Sequence, residues 1–205
     1  MKKILFVCTG NTCRSPMAAA LLKYLGKGKV EVRSAGVFAA EGAGASSHVV
    51  TAMSEKGIPF SHESKPITGT LVRWADLILT MTESHKHTVC HQYPEAVDKV
   101  YTLKEYIYQN EGYEEQLSEL HQAYAEIETI RAFYHNKWEQ ADAKDKLGVS
   151  EEFEAEIQPF KEKIFSLENS LPSLDIIDPF GGSIELYRET RGELESLIEK
   201  LLEKI

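Results

Sequence analysis

Cysteine is scarce in this sequence, which has three cysteines in 205 residues. A small, odd number of cysteines argues against a disulfide framework and indicates a reducing compartment, where a thiol is free to do chemistry. No apolar run approaches the roughly 20 residues that a membrane helix requires. The apolar run at 4–7 is also too short for a signal peptide, and polar residues follow it. We therefore expect a cytoplasmic protein with no membrane partner.

An excess of positive charge is absent as well. The net charge is −9, which argues against nucleic acid as a partner of the chain as a whole. The charge is unevenly placed, because residues 109–172 hold 15 acidic and 6 basic residues while the remainder holds 17 of each. This change of composition indicates that 109–172 is a separate segment.

Outside that segment, short apolar runs alternate with helical patterns. The runs are rich in Val, Ile and Leu and lie at 4–7, 30–33, 77–80 and 100–103. The helical patterns lie at about 15–27, 46–57, 83–92 and 183–204. Strands that alternate with helices predict right-handed crossovers and a parallel sheet. We expect an α/β fold with a four-stranded parallel sheet flanked by helices.

Residues 109–172 carry two apolar stripes with helical spacing. The first stripe, in which Arg131 fills one position, consists of Leu117, Leu120, Tyr124, Ile127, Tyr134, Trp138 and Ala141. The second consists of Phe153, Ile157, Phe160, Ile164, Leu167 and Leu171. They predict two long antiparallel helices, the second kinked or split by Pro159. The expected domains are 1–108 with 173–205, and an inserted helical hairpin at 109–172. Its acidic surface is a candidate site for a protein partner, and an ordinary solvated face is the alternative.

One segment, between the first strand and the first helix, has the composition of a phosphate cradle. It reads Cys8-Thr9-Gly10-Asn11-Thr12-Cys13-Arg14-Ser15. Backbone N–H groups of such a loop and the N-terminus of the next helix attract an anion, and Arg14 can hold two phosphoryl oxygens. The same field favours a thiolate at Cys8, to which Ser15 can donate. Gly10 relieves the tight turn, and Asn11 tolerates left-handed geometry and can tie the loop together.

This segment, continued through Pro16-Met17-Ala18, strongly resembles the active-site loop of low-molecular-weight protein tyrosine phosphatases. Three further stretches match that family, and they are Ser34-Ala35-Gly36, residues 75–82 and Asp178-Pro179-Phe180. The resemblance covers about 1–107 and 174–205, and the family does not normally carry the hairpin. It implies that Cys8 forms a phosphocysteine, that Asp178 is the general acid, and that Phe180 forms a wall of the cleft. It also implies that Cys13 can trap an oxidised Cys8 as a disulfide.

The resemblance is greatest to the bacterial protein arginine phosphatase branch. Thr12 stands where tyrosine phosphatases of the family carry a larger aliphatic residue, and its hydroxyl suits a planar, polar guanidinium. The stretches 103–106 and 178–183 resemble the same branch. We expect a protein-arginine-phosphate phosphatase that acts on phosphorylated proteins, with protein tyrosine phosphate as the alternative substrate. A purely structural role of Thr12 in the loop stays open.

Two other functions remain as alternatives. Arsenate reductases share this fold and loop, but they need two further cysteines, and only Cys90 is available. A non-catalytic phosphate-binding interaction module is the other. We expect neither a metal nor a cofactor, because the spacing of His85, His87, Cys90 and His91 fits no standard zinc pattern.

Overall fold

The computed structural model describes residues 1–109, 112–142 and 145–205. The chain divides into two compact units. One consists of Met1–Ile107 and Ser173–Ile205, and the other of Tyr108–Pro172. The helices and strands follow in this order: β1 (Lys2–Cys8), α1 (Arg14–Gly26), β2 (Val30–Gly36), α2 (Ser47–Ser54), α3 (Gly69–Trp74), β3 (Leu77–Thr80), α4 (Glu83–Gln92), a 3₁₀ turn (Pro94–Lys99), β4 (Val100–Thr102), α5 (Leu103–Tyr108), α6 (Tyr113–Gln140), α7 (Lys146–Ser170) and α8 (Ile184–Lys204).

The first unit is built on a four-stranded parallel sheet, as the sequence predicts, and the structure gives the strand order β2-β1-β3-β4. The side chains of residues 4–7 in β1 are fully buried. A strand that is buried on both faces reads as a continuous apolar run, and this explains why β1 shows no alternation. The chain moves from β1 to one neighbour and then returns to the other, so the strand order reverses beside β1.

The four helical patterns of this unit correspond to α1, α2, α4 and α8. The helices α3 and α5 and the 3₁₀ turn are absent from the sequence prediction. Each has six residues, at most two turns, so no periodic stripe can develop in them. Ser183 lies at the N-cap of α8, where Ser is favoured.

The second unit is a pair of packed helices, α6 and α7, which confirms the predicted helical hairpin. Five buried side chains form its core, and they are Leu120, Ala123, Ile127, Ile157 and Ile164. Tyr124 OH donates to Glu168 and Tyr134 OH donates to Glu156, so the early part of α6 faces the late part of α7. The helices are therefore antiparallel.

Two details of the hairpin differ from the sequence expectation. Arg131 does not fill the apolar seam, because its side chain is 59% exposed and pairs with Glu128. Of the two outcomes expected at Pro159, a kink or a split, the split does not occur, because α7 continues from Lys146 to Ser170. A proline removes one helical hydrogen bond at a cost of about 3 kcal/mol, and the packing of Ile157 and Ile164 on α6 offsets this cost.

Across the described ranges, no helix has an apolar stretch long enough to span a membrane.

Candidate active site

A tight loop connects β1 to α1 at the carboxyl edge of the sheet. This phosphate loop, residues 8–15, starts at the last residue of β1 and runs into the first turn of α1. Ligands of parallel α/β sheets bind beyond the carboxyl ends of the strands. The N-terminus of a helix also attracts anions through its free N–H groups and its dipole. The location alone therefore favours a negatively charged ligand.

A cleft of about 170 Å³ opens on this loop. Of the ten residues that the sequence singles out, eight line the cleft: Cys8, Thr9, Gly10, Thr12, Cys13, Arg14, Asp178 and Phe180. The other two, Asn11 and Ser15, are fully buried within the loop. The side chain of Phe180 is 73% exposed, so its ring is free to meet a ligand.

Ser15 places its hydroxyl against the sulfur of Cys8. Ser15 Oγ lies 2.9 Å from Cys8 Sγ, and it accepts a hydrogen bond of 2.9 Å from Asn11 Nδ2. The Ser15 proton is then available to the sulfur or to the carbonyl oxygen of Ala35, which is 3.3 Å away. A hydroxyl that donates to sulfur stabilises the thiolate, both as a nucleophile and as a leaving group.

Asn11 holds the loop in a left-handed turn with φ 53°. Its Oδ1 accepts from Lys65 N at 2.9 Å, and its carbonyl oxygen accepts from Ser64 Oγ at 2.8 Å. His62 Nε2 lies 2.7 Å from the same carbonyl oxygen. Asparagine tolerates positive φ better than most residues. The sequence analysis assigned the relief of the turn to Gly10 and left-handed geometry to Asn11. Gly10 has no positive φ, whereas Asn11 adopts the left-handed conformation as expected.

Gly36, at the end of β2, allows the phosphate loop to approach closely. A Cβ at this position would lie 2.5 Å from Thr9 O and 2.9 Å from Asn11 N. The next two residues of the chain hold the loop, because Val37 N donates to the Cys8 carbonyl and Phe38 N to the Thr9 carbonyl. This explains why the chain needs glycine in the Ser34-Ala35-Gly36 stretch.

Arg14 is buried at the base of the cleft with unused binding capacity. Its Nη2 pairs with Asp178 Oδ2 at 2.6 Å, and its Nη1 donates to Ile176 O at 3.2 Å. Its Nε is buried and has no hydrogen-bond partner among the described residues. A buried donor without a partner is costly, and a phosphoryl oxygen would satisfy it.

The segment before Asp178 is anchored to the end of β3 and to the start of α4. Ile176 N donates to Met81 O at 2.8 Å, and Glu83 N donates to Asp175 Oδ1 at 2.8 Å. Asp178 itself is half exposed and accepts from Phe180 N at 3.1 Å. The pair with Arg14 therefore joins this anchored segment to the start of α1.

His85 is a site residue that sequence reasoning did not assign to the loop. Its Nε2 lies 2.8 Å from Thr9 Oγ1 and its Nδ1 lies 2.8 Å from Thr82 Oγ1. Burial and the nearby charge of Arg14 lower its pKa to about 4, so the ring is neutral near pH 7. If Thr82 donates to Nδ1, Nε2 donates to Thr9, and the Thr9 proton is free for the cleft. The sequence analysis considered His85 only as a zinc ligand, which its spacing argues against, and nothing local links residue 85 to residue 9.

Cys13 lies across the cleft in contact with α8. Its sulfur is 3.4 Å from Tyr187 OH, which also accepts from Ser46 Oγ at 3.0 Å. Burial raises the pKa of the Cys13 thiol. Cys13 therefore rests as a neutral thiol, whereas Cys8 has the hydroxyl of Ser15 beside it.

Within the described part of the chain, no group of three His, Cys, Asp or Glu side chains is arranged to hold a metal ion. Two of the four residues considered for zinc are engaged elsewhere, because His85 bonds Thr9 and Thr82 and Cys90 packs beside the core of the sheet.

The fold and the site together define a class, the cysteine-dependent phosphatases with a phosphate loop at the end of the first strand. The family model described as "Low molecular weight phosphotyrosine protein phosphatase" matches residues 3–136. The chain belongs to this family.

Two proteins and one solved structure are similar to this chain over nearly its whole length. A "Protein-arginine-phosphatase" of Geobacillus stearothermophilus is 37% identical over 203 residues, which cover 99% of this chain and 95% of the relative. A protein of the same name from Bacillus subtilis strain 168 is 35% identical over 205 aligned positions, covering 98% and 95%. A solved structure of the YwlE arginine phosphatase, a Cys-to-Ser mutant with a phosphorylated active-site serine, is 34% identical with a TM-score of 0.66. The match covers 98% of this chain and 94% of that one.

Proposed function

We propose that this protein removes phosphate from phosphoarginine residues of proteins through a phosphocysteine intermediate on Cys8. The observation that carries the proposal is the loop geometry, in which Ser15 Oγ lies 2.9 Å from Cys8 Sγ and the buried Arg14 faces the same cleft. The names of the full-length relatives support arginine as the substrate residue.

In the first step, the Cys8 thiolate attacks phosphorus and the P–N bond to the guanidine breaks. The phosphoryl oxygens accept from the backbone N–H groups of the loop and from Arg14, whose Nε has no other partner among the described residues. The incoming oxygens also compete for Nη2 of Arg14, which holds Asp178. Binding therefore frees the carboxyl group of Asp178 for proton transfer.

Asp178 acts as the general acid and then as the general base. In the first step, the carboxyl group of Asp178 carries the proton that it took from water in the preceding turnover, and it gives this proton to the leaving guanidine nitrogen. In the second step, the carboxylate takes a proton from water, the water oxygen attacks phosphorus, and the S–P bond breaks. Ser15 then stabilises Cys8 as the leaving thiolate, and inorganic phosphate departs.

Thr12 supports the preference for arginine. It lines the cleft, and its short hydroxyl-bearing side chain leaves room for a planar guanidinium. Protein tyrosine phosphate is the second candidate, because the family model carries that name and the exposed ring of Phe180 can pack on a phenyl group.

We further propose that residues 1–108 and 173–205 form the phosphatase domain and that the hairpin at 109–172 meets a protein partner. A reducing location, the cytoplasm of a bacterium, suits a nucleophilic thiol that must stay free, and Cys8, Cys13 and Cys90 are all unpaired. Both named relatives come from bacteria.

The test is parallel hydrolysis of one protein phosphorylated either on arginine or on tyrosine, with release of phosphate as the readout. We expect the larger kcat/KM for phosphoarginine, and no release with Cys8→Ser. A larger value for phosphotyrosine would reverse the preference, and turnover by Cys8→Ser would overturn the mechanism.

A further inference from the structure

A second and larger cleft lies along the free edge of the sheet. Its volume is about 930 Å³. The strand β2 is the edge strand and forms the floor with residues 32–34. One wall is the face of α1 with Pro16, Ala19, Ala20 and Lys23, and the other is the segment 58–65. We call this feature the edge cleft.

The backbone of β2 is open toward this cleft. Among the described residues, its pairing on that side consists of the bridge between Gly36 and Pro66, where Gly36 N donates to Lys65 O and Ile67 N donates to Gly36 O. Before Gly36, the backbone of β2 forms its ladder with β1 alone. An edge of this kind is a template for one more extended strand.

The segment 58–65 leaves room for that strand. Residues 65–67 run parallel to the end of β2, while 58–63 diverge and become the far wall. The wall is fixed at its base, because Ser64 Oγ and Lys65 N both bond Asn11. The edge cleft is therefore preformed, and an occupant need not order it.

The charges around the edge cleft have the opposite sign to the protein as a whole. Lys23, Arg33 and Lys65 line it, against the single acid Glu63. None of the three cations forms an ion pair with a described residue, although Arg33 stacks on the Trp74 ring at 4.2 Å. Charges that only protect a sheet edge lie on the edge strand itself, whereas Lys23 and Lys65 lie on the two walls.

We propose that the edge cleft binds an extended acidic segment of a partner protein, which adds to β2 as a fifth strand. Its backbone pairs with the open groups of residues 30–35. Its carboxylates meet Lys23, Arg33 and Lys65, and alternate apolar side chains pack against Tyr24 and Phe60 on the walls.

The experiment measures binding and needs no turnover, so it can fail independently of the proposed function. The probe is a fluorescein-labelled peptide of about eight residues, enough to follow β2, that alternates glutamate with valine. Fluorescence anisotropy is recorded with the full chain in saturating inorganic phosphate, which occupies the phosphate loop. We expect binding that phosphate does not displace. Displacement by phosphate would locate the peptide at the phosphate loop and overturn the proposal.

Two comparisons separate strand addition from charge attraction. N-methylation of alternate peptide nitrogens removes the backbone donors and keeps the carboxylates, and we expect affinity to fall about tenfold or more. Lys23→Glu and Arg33→Glu should each weaken binding about tenfold, whereas Lys27→Glu, on an exposed lysine outside the cleft, should not change it. Lys23 is exposed, so its variant is informative even if Arg33→Glu unfolds. Equal affinity for the N-methylated peptide, or for Lys23→Glu, would overturn the proposal.

Discussion

The two units of this chain differ in what they bury. The first unit buries polar groups, among them Asn11, Ser15 and Arg14, and their hydrogen bonds converge on one cleft. The hairpin buries aliphatic side chains and leaves its ion pairs in solvent, as between Lys163 and Glu119. Buried polar networks are costly unless they are satisfied, whereas exposed ion pairs contribute about 0–1 kcal/mol. The first unit therefore concentrates its polar groups inside, at one cleft, whereas the hairpin keeps its charged groups on its surface.

The largest expected effect tests the first half of this comparison. Cys8→Ser should abolish turnover of every substrate, because the hydroxyl is a far weaker nucleophile in the same cradle. The fold and the binding of inorganic phosphate should survive, since Arg14 and the loop backbone remain. Phosphate release and phosphate affinity are the measurements. Cys90→Ser is the matched control and should behave as the parent; activity above a trace in Cys8→Ser would remove Cys8 as the nucleophile.

Loss of the acid should have the next largest effect. Asp178→Asn should lower kcat by about 10²–10⁴-fold for leaving groups that need a proton, and by less for groups that leave easily. A series of aryl phosphates with leaving groups of different pKa measures this. The variant also removes one charge of the ion pair with Arg14, so phosphate affinity is measured in parallel. Asp98→Asn, outside the cleft, is the control. Equal losses across the series would assign Asp178 a role other than proton donor.

A change at Thr12 should alter the preference between phosphoarginine and phosphotyrosine more than the overall rate of hydrolysis. Thr12→Ile should lower the phosphoarginine rate and raise the phosphotyrosine rate, because an apolar wall fits a phenyl ring and crowds a guanidinium. A contact of this size is worth about 1–3 kcal/mol, or roughly 5- to 150-fold in the ratio of kcat/KM values. Thr12→Ser keeps the hydroxyl and should retain the preference. An unchanged ratio in Thr12→Ile would leave Thr12 a structural residue of the loop.

The buried polar network should also appear in the pH dependence of stability. Folding lowers the pKa of His85 to about 4, below the ordinary 6.5 of histidine. Between these values the unfolded chain binds a proton that the folded chain does not, so the stabilisation is complete above pH 6.5 and is lost as pH falls toward 4. The loss should be on the order of 1–3 kcal/mol.

Urea unfolding at pH 7 and at pH 4.5 measures this loss. His85→Gln removes the titrating ring and should flatten that part of the curve. His121→Gln, on the exposed side of α6, should leave the curve unchanged. If the free energy of unfolding changes with pH by the same amount in the parent and in His85→Gln, His85 does not gain its proton on unfolding.

The sequence was most informative where neighbouring residues act together. Residues 8–15 revealed the loop because the cysteine, the arginine and the helix start are contiguous in the sequence. Asp178 could be placed only through a family resemblance, since an Asp-Pro-Phe stretch is in itself a turn. His85 could not be placed at all, because it meets Thr9 through a packing of α4 on the loop that no periodicity records. The Arg14–Asp178 pair is likewise a product of tertiary structure.

The smallest expected effect tests the second half of the comparison. Replacing residues 109–172 with a short glycine-rich turn should leave the first unit folded, because its core and its sheet come from Met1–Ile107 and Ser173–Ile205. A small aryl phosphate should then be hydrolysed at nearly the parental kcat/KM, since the residues that line the cleft lie outside the deleted segment. The segment also carries the whole net charge of −9. Whole phosphoproteins with basic patches should therefore lose part of their advantage over acidic ones, and the salt dependence of their kcat/KM should weaken.

A control variant that keeps the hairpin and changes Glu119, Glu154 and Glu162 to Gln separates the effect of the charge from the effect of the helices. If the deletion leaves both substrate classes unchanged, the hairpin has no part in recognition; if a folded deletion variant loses the small substrate, the hairpin contributes to catalysis.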